Sequence, residues 1–132
     1  MVVVDVIRSA EAINVRAVSR GGVSNNRRIR RFLVRGHAGY APHGEDIVCA
    51  AASAIIYTAA GALEILCGAQ EEGAAEQEGY FEISIPLFED NAATYKADII
   101  METAYIGFKQ IENSYPDFIK VNEIINKINN ND

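Results

Sequence analysis

Arg28-Ile29-Arg30-Arg31-Phe32-Leu33-Val34-Arg35-Gly36, followed after a glycine-rich segment by Asp46-Ile47-Val48-Cys49-Ala50-Ala51-Ala52, is where the hydrophobic period of this sequence changes from two to that of a helix. In the first part, charged residues alternate with Ile29, Phe32 and Val34, which predicts a strand whose outer face is charged. From Asp46 to about Cys67 the apolar and small residues predict one long helix, and Gly68 is a suitable stop. The strand, the loop and the helix start make a junction of the kind in which reactive groups concentrate.

Upstream, Val2, Val3, Val4, Val6 and Ile7 form a β-branched run typical of a buried strand, expected to end near Ser9. Ile13, Val15 and Ala17 then alternate briefly, and Gly21, Gly22, Ser24, Asn25 and Asn26 mark a turn, consistent with a hairpin. Downstream, Gln70 to Glu78 reads as an acidic surface loop. Tyr80, Phe81, Ile83, Ile85 and Leu87 read as a strand that Pro86 pushes towards an edge. Ala92 to Asn113 returns to helical spacing, with Tyr95, Ile99, Met101, Ala104, Tyr105, Phe108 and Ile111 as its apolar face. A short strand is expected at Phe118 to Val121. The expected fold is α+β: two layers, a mostly antiparallel sheet with two helices packed on one face. Residues 1–121 are expected to form a single domain, and 122–132 a polar C-terminal tail that is a frayed helix or disordered.

Composition agrees with one compact domain. The chain has 132 residues, 49% hydrophobic and 23% charged, with only 3 Pro and 10 Gly, which excludes disordered and collagen-like classes. Two cysteines are too few for a disulfide framework, and no leader pattern opens the sequence, so a reducing cytoplasm is the expected setting. The uncharged stretch from Ile47 to Leu63 is mostly Ala, Gly, Ser and Thr, which favours a helix buried in the protein over one that crosses a membrane.

The net charge of −6 argues against direct nucleic-acid contact, although it is unevenly spread. The first 44 residues hold Arg8, Arg16, Arg20, Arg27, Arg28, Arg30, Arg31 and Arg35 against Asp5 and Glu11, and the remainder holds four lysines against sixteen acids. A basic run at Arg27 to Arg31 could touch phosphate. A solvated strand face explains it more simply.

The stretch with chemical content is Gly36-His37-Ala38-Gly39-Tyr40-Ala41-Pro42-His43-Gly44-Glu45-Asp46-Ile47-Val48-Cys49. It puts a histidine at a strand end and a cysteine in the first turn of the next helix, where oriented N–H groups favour a thiolate. His37 could serve as the base for Cys49 if the loop folds back. The competing readings are a small buried cysteine and a solvated histidine. Gly36, Gly39 and Gly44 would let the backbone approach a bound peptide, and Tyr40 is a candidate pocket residue that is equally an ordinary packing aromatic. A metal site from His37, His43 and Cys49 would need a fourth ligand. Cys67 lies about 27 Å along the helix from Cys49, so neither a zinc site nor a disulfide can join them. No metal or cofactor is expected.

Gly36-His37-Ala38-Gly39-Tyr40-Ala41, then Gly44-Glu45-Asp46-Ile47-Val48-Cys49-Ala50-Ala51 and Ser53, closely resembles the signature of the Prp family, the bacterial ribosomal-processing cysteine proteases. The resemblance extends to Glu78-Gly79-Tyr80 and to Ile111-Glu112-Asn113-Ser114-Tyr115-Pro116, and covers roughly Arg28 to Val121. It implies a homodimer that removes the N-terminal extension of a large-subunit ribosomal protein, cutting after paired Phe and before a small residue. By the same resemblance His37 matches the catalytic histidine and Cys49 the nucleophile, while Asp46 and Ser53 match further motif positions. Standing three residues before and four after Cys49, these two share its helix face, and either could orient His37. Asp46 is equally readable as an N-cap, and Ser53 as a small packing residue. The segment from Ala10 to Asn26 is longer than the resemblance leads one to expect, and the tail after Asn122 is extra.

Two functions from different classes follow. One is a thiol endopeptidase using His37 and Cys49. The other is a noncatalytic ribosome-assembly or adaptor module whose basic strand face touches RNA.

Overall fold

A computed structural model describes residues 1–12, 27–36, 45–69, 74–77, 79–86 and 88–126. They form β1 (Val2–Ala12), β2 (Arg27–Arg35), α1 (Glu45–Cys67), β3 (Ala74–Gln77), β4 (Tyr80–Ser84), α2 (Asn91–Ser114) and β5 (Ile119–Ile125). The five strands make one sheet in the order β3-β4-β2-β1-β5. β1 pairs antiparallel with β2, β2 with β4 and β3 with β4, while β5 runs parallel to β1.

Alternation decides which side of the sheet is covered. Val2, Val4 and Val6 of β1, Phe32 and Val34 of β2, Phe81 and Ile83 of β4, and Ile119 and Val121 of β5 are all buried in one cluster. Val48, Ala52, Ile56, Ala59 and Leu63 from α1, and Ala97, Met101, Ala104 and Phe108 from α2, complete it. Phe32 and Phe108 meet edge to face at 5.3 Å and join sheet to helix layer at its centre. Both helices therefore lie on one face of a mostly antiparallel sheet, as the sequence predicts.

Several boundaries differ from expectation. β1 continues to Ala12 instead of ending near Ser9, because its last residues still pair with β2, past register shifts after Ile7 and Arg8. Part of the expected acidic loop is strand β3, which the backbone of β4 recruits although Ala74-Ala75-Glu76-Gln77 has little β propensity. Phe118 precedes the last strand, which runs on to Ile125. Asn122 to Ile125, expected in the tail, pair in register with Asp5 to Arg8 of β1. The segment 13–26, with its expected turn, lies outside the described residues, as do Leu87 and 127–132.

α1 stops where expected. Gly68 takes φ +73°, and the N–H groups of Gly68 and Ala69 reach the carbonyls of Glu64 and Leu63. Ile47–Cys67 is long and apolar enough to cross a membrane by length and composition, yet it lays a full stripe into the core; only 28% of its apolar stretch is buried. The expected buried helix is thus buried along one face. In α2 the side chain of Asp90 caps the helix by accepting from the Ala92 N–H at 3.0 Å. Tyr95 and Ile99, expected on the apolar face of α2, stand exposed, and Asp98 and Glu102 are buried instead.

Those two carboxylates explain a further correction: the β2 arginines are not a uniformly solvated face. Arg28 and Arg30 fall on the same alternation as the inward Phe32 and Val34 and are buried, and Arg28 donates to Asp98 at 2.8 Å. Arg8 continues the inward series of Val2, Val4 and Val6. Its guanidinium donates to Glu102, to Glu123 and to the Arg27 carbonyl at 2.8–2.9 Å, and lies 4.9 Å from the Tyr105 ring centre. Burial works against this cation, but its two carboxylate partners outweigh the cost and hold its pKa up. On the open face of the sheet, Arg35 pairs with Asp5 and Arg31 with Glu82.

Candidate active site

β2 delivers the chain to the site through Gly36. The Gly36 N–H donates to the Gly79 carbonyl at 3.0 Å, and its φ of +88° belongs to the left-handed region. A Cβ at this position would run into the carbonyl oxygen of Met1. Conformation, hydrogen bond and close approach thus fix the backbone one residue before His37. The sequence reads this glycine as the first of the substrate loop, and these contacts hold its backbone where β2 ends. His37, Gly39, Tyr40 and Gly44 lie outside the described residues, as does His43.

α1 begins at Glu45, which makes Asp46 its second residue and Cys49 its fifth. Asp46 thus stands at the end of the helix where the sequence reads it either as a cap or as an orienting carboxylate. An acidic residue in the first turn still meets the positive end of the helix macrodipole. Cys49 stands at the opening of the second turn, one place later than expected, and is half-buried. It is within reach of the same dipole and of water, the two conditions a reactive thiol needs.

Turning 100° per residue from Cys49 brings Ser53 and then Tyr57 onto the same flank of the helix, opposite the flank that meets α2. Ser53 is half-buried, and Tyr57 is 44% exposed. The Tyr57 ring meets Phe81 of β4 edge to face at 4.9 Å. Phe81 pairs with Val34, two residues before Gly36. Through Tyr57 and Phe81, therefore, α1 is tied to β4 and so to the end of β2 that precedes Gly36. Sequence reading missed Tyr57 and Phe81. The signal available was an aromatic eight residues after Cys49, on the same helical stripe.

Cys67 is the contrast. It occupies the other end of α1, where the macrodipole is negative, and burial pushes its thiol up against a smaller opposing pull from Lys96. Neither cysteine is in a disulfide. Among the described residues no group of three His, Cys, Asp or Glu side chains could hold a metal ion.

An apolar depression of about 540 Å³ between α1 and α2, lined by Ile55, Thr58, Ala62, Ile99, Thr103 and Gly107, lies on the helices' outer side, on the flank of α1 away from Cys49.

The family model of the cysteine protease Prp matches residues 20–120 of the chain. The ribosomal processing cysteine protease Prp of Bacillus subtilis (strain 168) is 33% identical over 99 residues, which is 74% of this chain and 88% of that protein. Among solved structures, SMU.848 from Streptococcus mutans superposes with a TM-score of 0.69 at 23% identity, covering 96% of each chain. The essential ribosomal processing protease Prp from Staphylococcus aureus, in complex with a substrate peptide, does so with a TM-score of 0.66 at 23% identity, covering 93% of this chain and 99% of that one.

Proposed function

Because the chain belongs to the Prp family of cysteine proteases, we propose that it is the endopeptidase that removes an N-terminal extension from a bacterial large-subunit ribosomal protein, with His37 and Cys49 as a catalytic dyad. The observation that carries this reading is the joint at Gly36. A backbone held by Gly79 and Met1 immediately before His37 sets the histidine's strand end firmly, and the neighbouring helix presents a half-buried thiol near its positive end.

In this mechanism His37 takes the proton from Cys49 Sγ and the thiolate attacks the scissile carbonyl carbon. Backbone N–H groups near the start of α1 stabilise the oxyanion. Collapse breaks the C–N bond, and the leaving amine takes the proton from His37. Water then attacks the thioester, giving its proton to His37, and the acid product leaves as Cys49 is restored. Asp46 and Ser53 orient the histidine, and Gly39, Tyr40 and Gly44 form the loop that closes on the peptide. The enzyme acts in the cytoplasm, where its thiols stay reduced. It works as a homodimer, a state supported by the exposed Ile65, Leu66, Ile99 and Ile106 on the outer helix surfaces.

The adaptor alternative relies on a free basic face. Arg28, Arg31 and Arg35 spend their charge on Asp98, Glu82 and Asp5, which leaves little for phosphate. The decisive experiment is incubation with a peptide whose leader ends in Phe-Phe before Ala, followed by mass spectrometry, with Cys49→Ala and His37→Ala as controls. Cleavage after the second Phe, lost in both variants, is the expected result. An intact peptide with the unaltered protein would reject the reading.

A further inference from the structure

We infer that the outer edge of β5 is a pairing surface for the β5 of a second copy of this chain, and that Glu112 keeps it shut by occupying a backbone donor on it. The inference does not depend on the protease reading, whose mechanism makes no use of the motif Ile111-Glu112-Asn113-Ser114-Tyr115-Pro116.

β5 is the last strand of the sheet and pairs on one side only, with β1. In a strand the N–H and C=O of one residue point to the same side, and successive residues point to opposite sides. The Phe118 carbonyl accepts from the Val2 N–H at 2.9 Å and the Asn126 N–H donates to the Arg8 carbonyl at 2.8 Å, so the even-numbered residues bond to β1. Ile119, Val121, Glu123 and Ile125 therefore turn their backbone groups outwards. Such a row is a template for another strand, and Ile124 and Ile125, 45% and 41% exposed, add apolar surface to it.

One outward donor is taken. The Val121 N–H bonds to the Glu112 carboxylate at 2.7 Å, and Lys109 donates to the other carboxylate oxygen at 2.8 Å, which holds the side chain in place. A carboxylate here does what a neighbouring strand's carbonyl would do, and its charge repels the carbonyl oxygens of an arriving strand. Such a strand is left with Glu123 and Ile125, a shorter stretch than the about five or six residues of a typical strand. Without Glu112 the free row runs from Val121 to Ile125, and two copies of it fit each other antiparallel about a two-fold axis at Glu123. Val121 of each copy then pairs with Ile125 of the other, and Asn122 with Ile124, while the Glu123 carboxylates remain bound to Arg8 and Tyr105 of their own chains. This self-complementarity selects a second copy as the occupant.

The test follows the mass of the full chain by sedimentation at rising concentration, for the unaltered protein, for Glu112→Ala, and for Glu112→Ala combined with Ile125→Pro. Proline at 125 removes an outward N–H and no bond to β1. Glu112→Ala should form a species of twice the unaltered protein's mass, and the added proline should reverse the doubling. A Glu112→Ala variant with unaltered circular dichroism and unaltered mass at every concentration would overturn the inference, as would a doubling that Ile125→Pro leaves untouched. Amide hydrogen exchange in the unaltered protein decides even if Glu112→Ala does not fold. The Val121 amide should exchange about tenfold more slowly than those of Glu123 and Ile125. Equal rates would show that Glu112 does not hold the edge and would refute the inference.

Discussion

Glu112, in the last turns of α2, accepts the backbone N–H of Val121 on β5 at 2.7 Å through one carboxylate oxygen and the Lys109 ammonium at 2.8 Å through the other. Burial pushes this carboxyl up, but the two donors outweigh it and hold its pKa below the ordinary 4.5. A group whose folded pKa is depressed stabilises fully above its unfolded value and stops doing so as pH falls through the folded one. Glu112→Gln should therefore lower stability at pH 7 by about 1 kcal/mol, allowing for solvent screening. In urea melts, that deficit should vanish as the pH drops below 4.5.

Arg8 should prove the most sensitive charged residue in the molecule. Arg8→Met would leave Glu102 buried without its cation and should cost about 3 kcal/mol or more. Glu102→Gln should cost less, because Glu123 and the Arg27 carbonyl still hold the guanidinium. Burial, only partly offset by Arg8, already raises the Glu102 pKa, and loss of Arg8 would raise it further. A raised folded pKa means stability falls as pH rises through it, so the Arg8→Met deficit should be larger at pH 8 than at pH 5 in chemical denaturation.

Gly36→Ala tests the joint. The positive φ alone costs about 1–2 kcal/mol for an L-residue. The contact with Met1 adds to it, since the clashing atom is backbone and cannot rotate away. Tm should fall and cleavage with it. An unchanged Tm would show that the joint is slack.

Iodoacetamide should separate the two thiols. Cys49 should be alkylated much faster than Cys67 at neutral pH, and Cys49→Ser should abolish turnover while leaving Tm near that of the unaltered protein. In Cys49→Ser, the remaining thiol should react more slowly than an ordinary one at neutral pH and gain rate as the pH rises, since burial raises the Cys67 pKa. Equal rates for the two thiols would remove the nucleophile assignment.

Asp46→Asn isolates charge from shape. As the second residue of α1, Asp46 lies at the positive end of the macrodipole, where a negative charge is worth about 0.3–1 kcal/mol. Turnover should fall with Tm almost unchanged if the carboxylate orients His37. Undiminished kcat would limit it to the helix end.

How far the sequence could be read follows from the range of each interaction. Hydrophobic period, glycine placement and the His37-to-Cys49 spacing are local properties, and they were enough for the α+β layering, for both helices to within a residue at each end, and for the strand–loop–helix junction with its thiol. What depends on a partner distant in the chain was not legible. Ala74 to Gln77 become a strand because β4 offers an unpaired edge, and Asn122 to Ile125 because β1 does. Arg8 and Arg28 look like surface charges until α2 brings Glu102 and Asp98 against them from 94 and 70 residues away. Tyr57 gains its neighbour Phe81 only when α1 is laid on the sheet, and Gly36 becomes rigid only when Met1 and Gly79 close on it. Local backbone preferences act over a few residues and leave a pattern in the sequence, whereas burial and pairing are set by whichever surfaces the finished fold brings together.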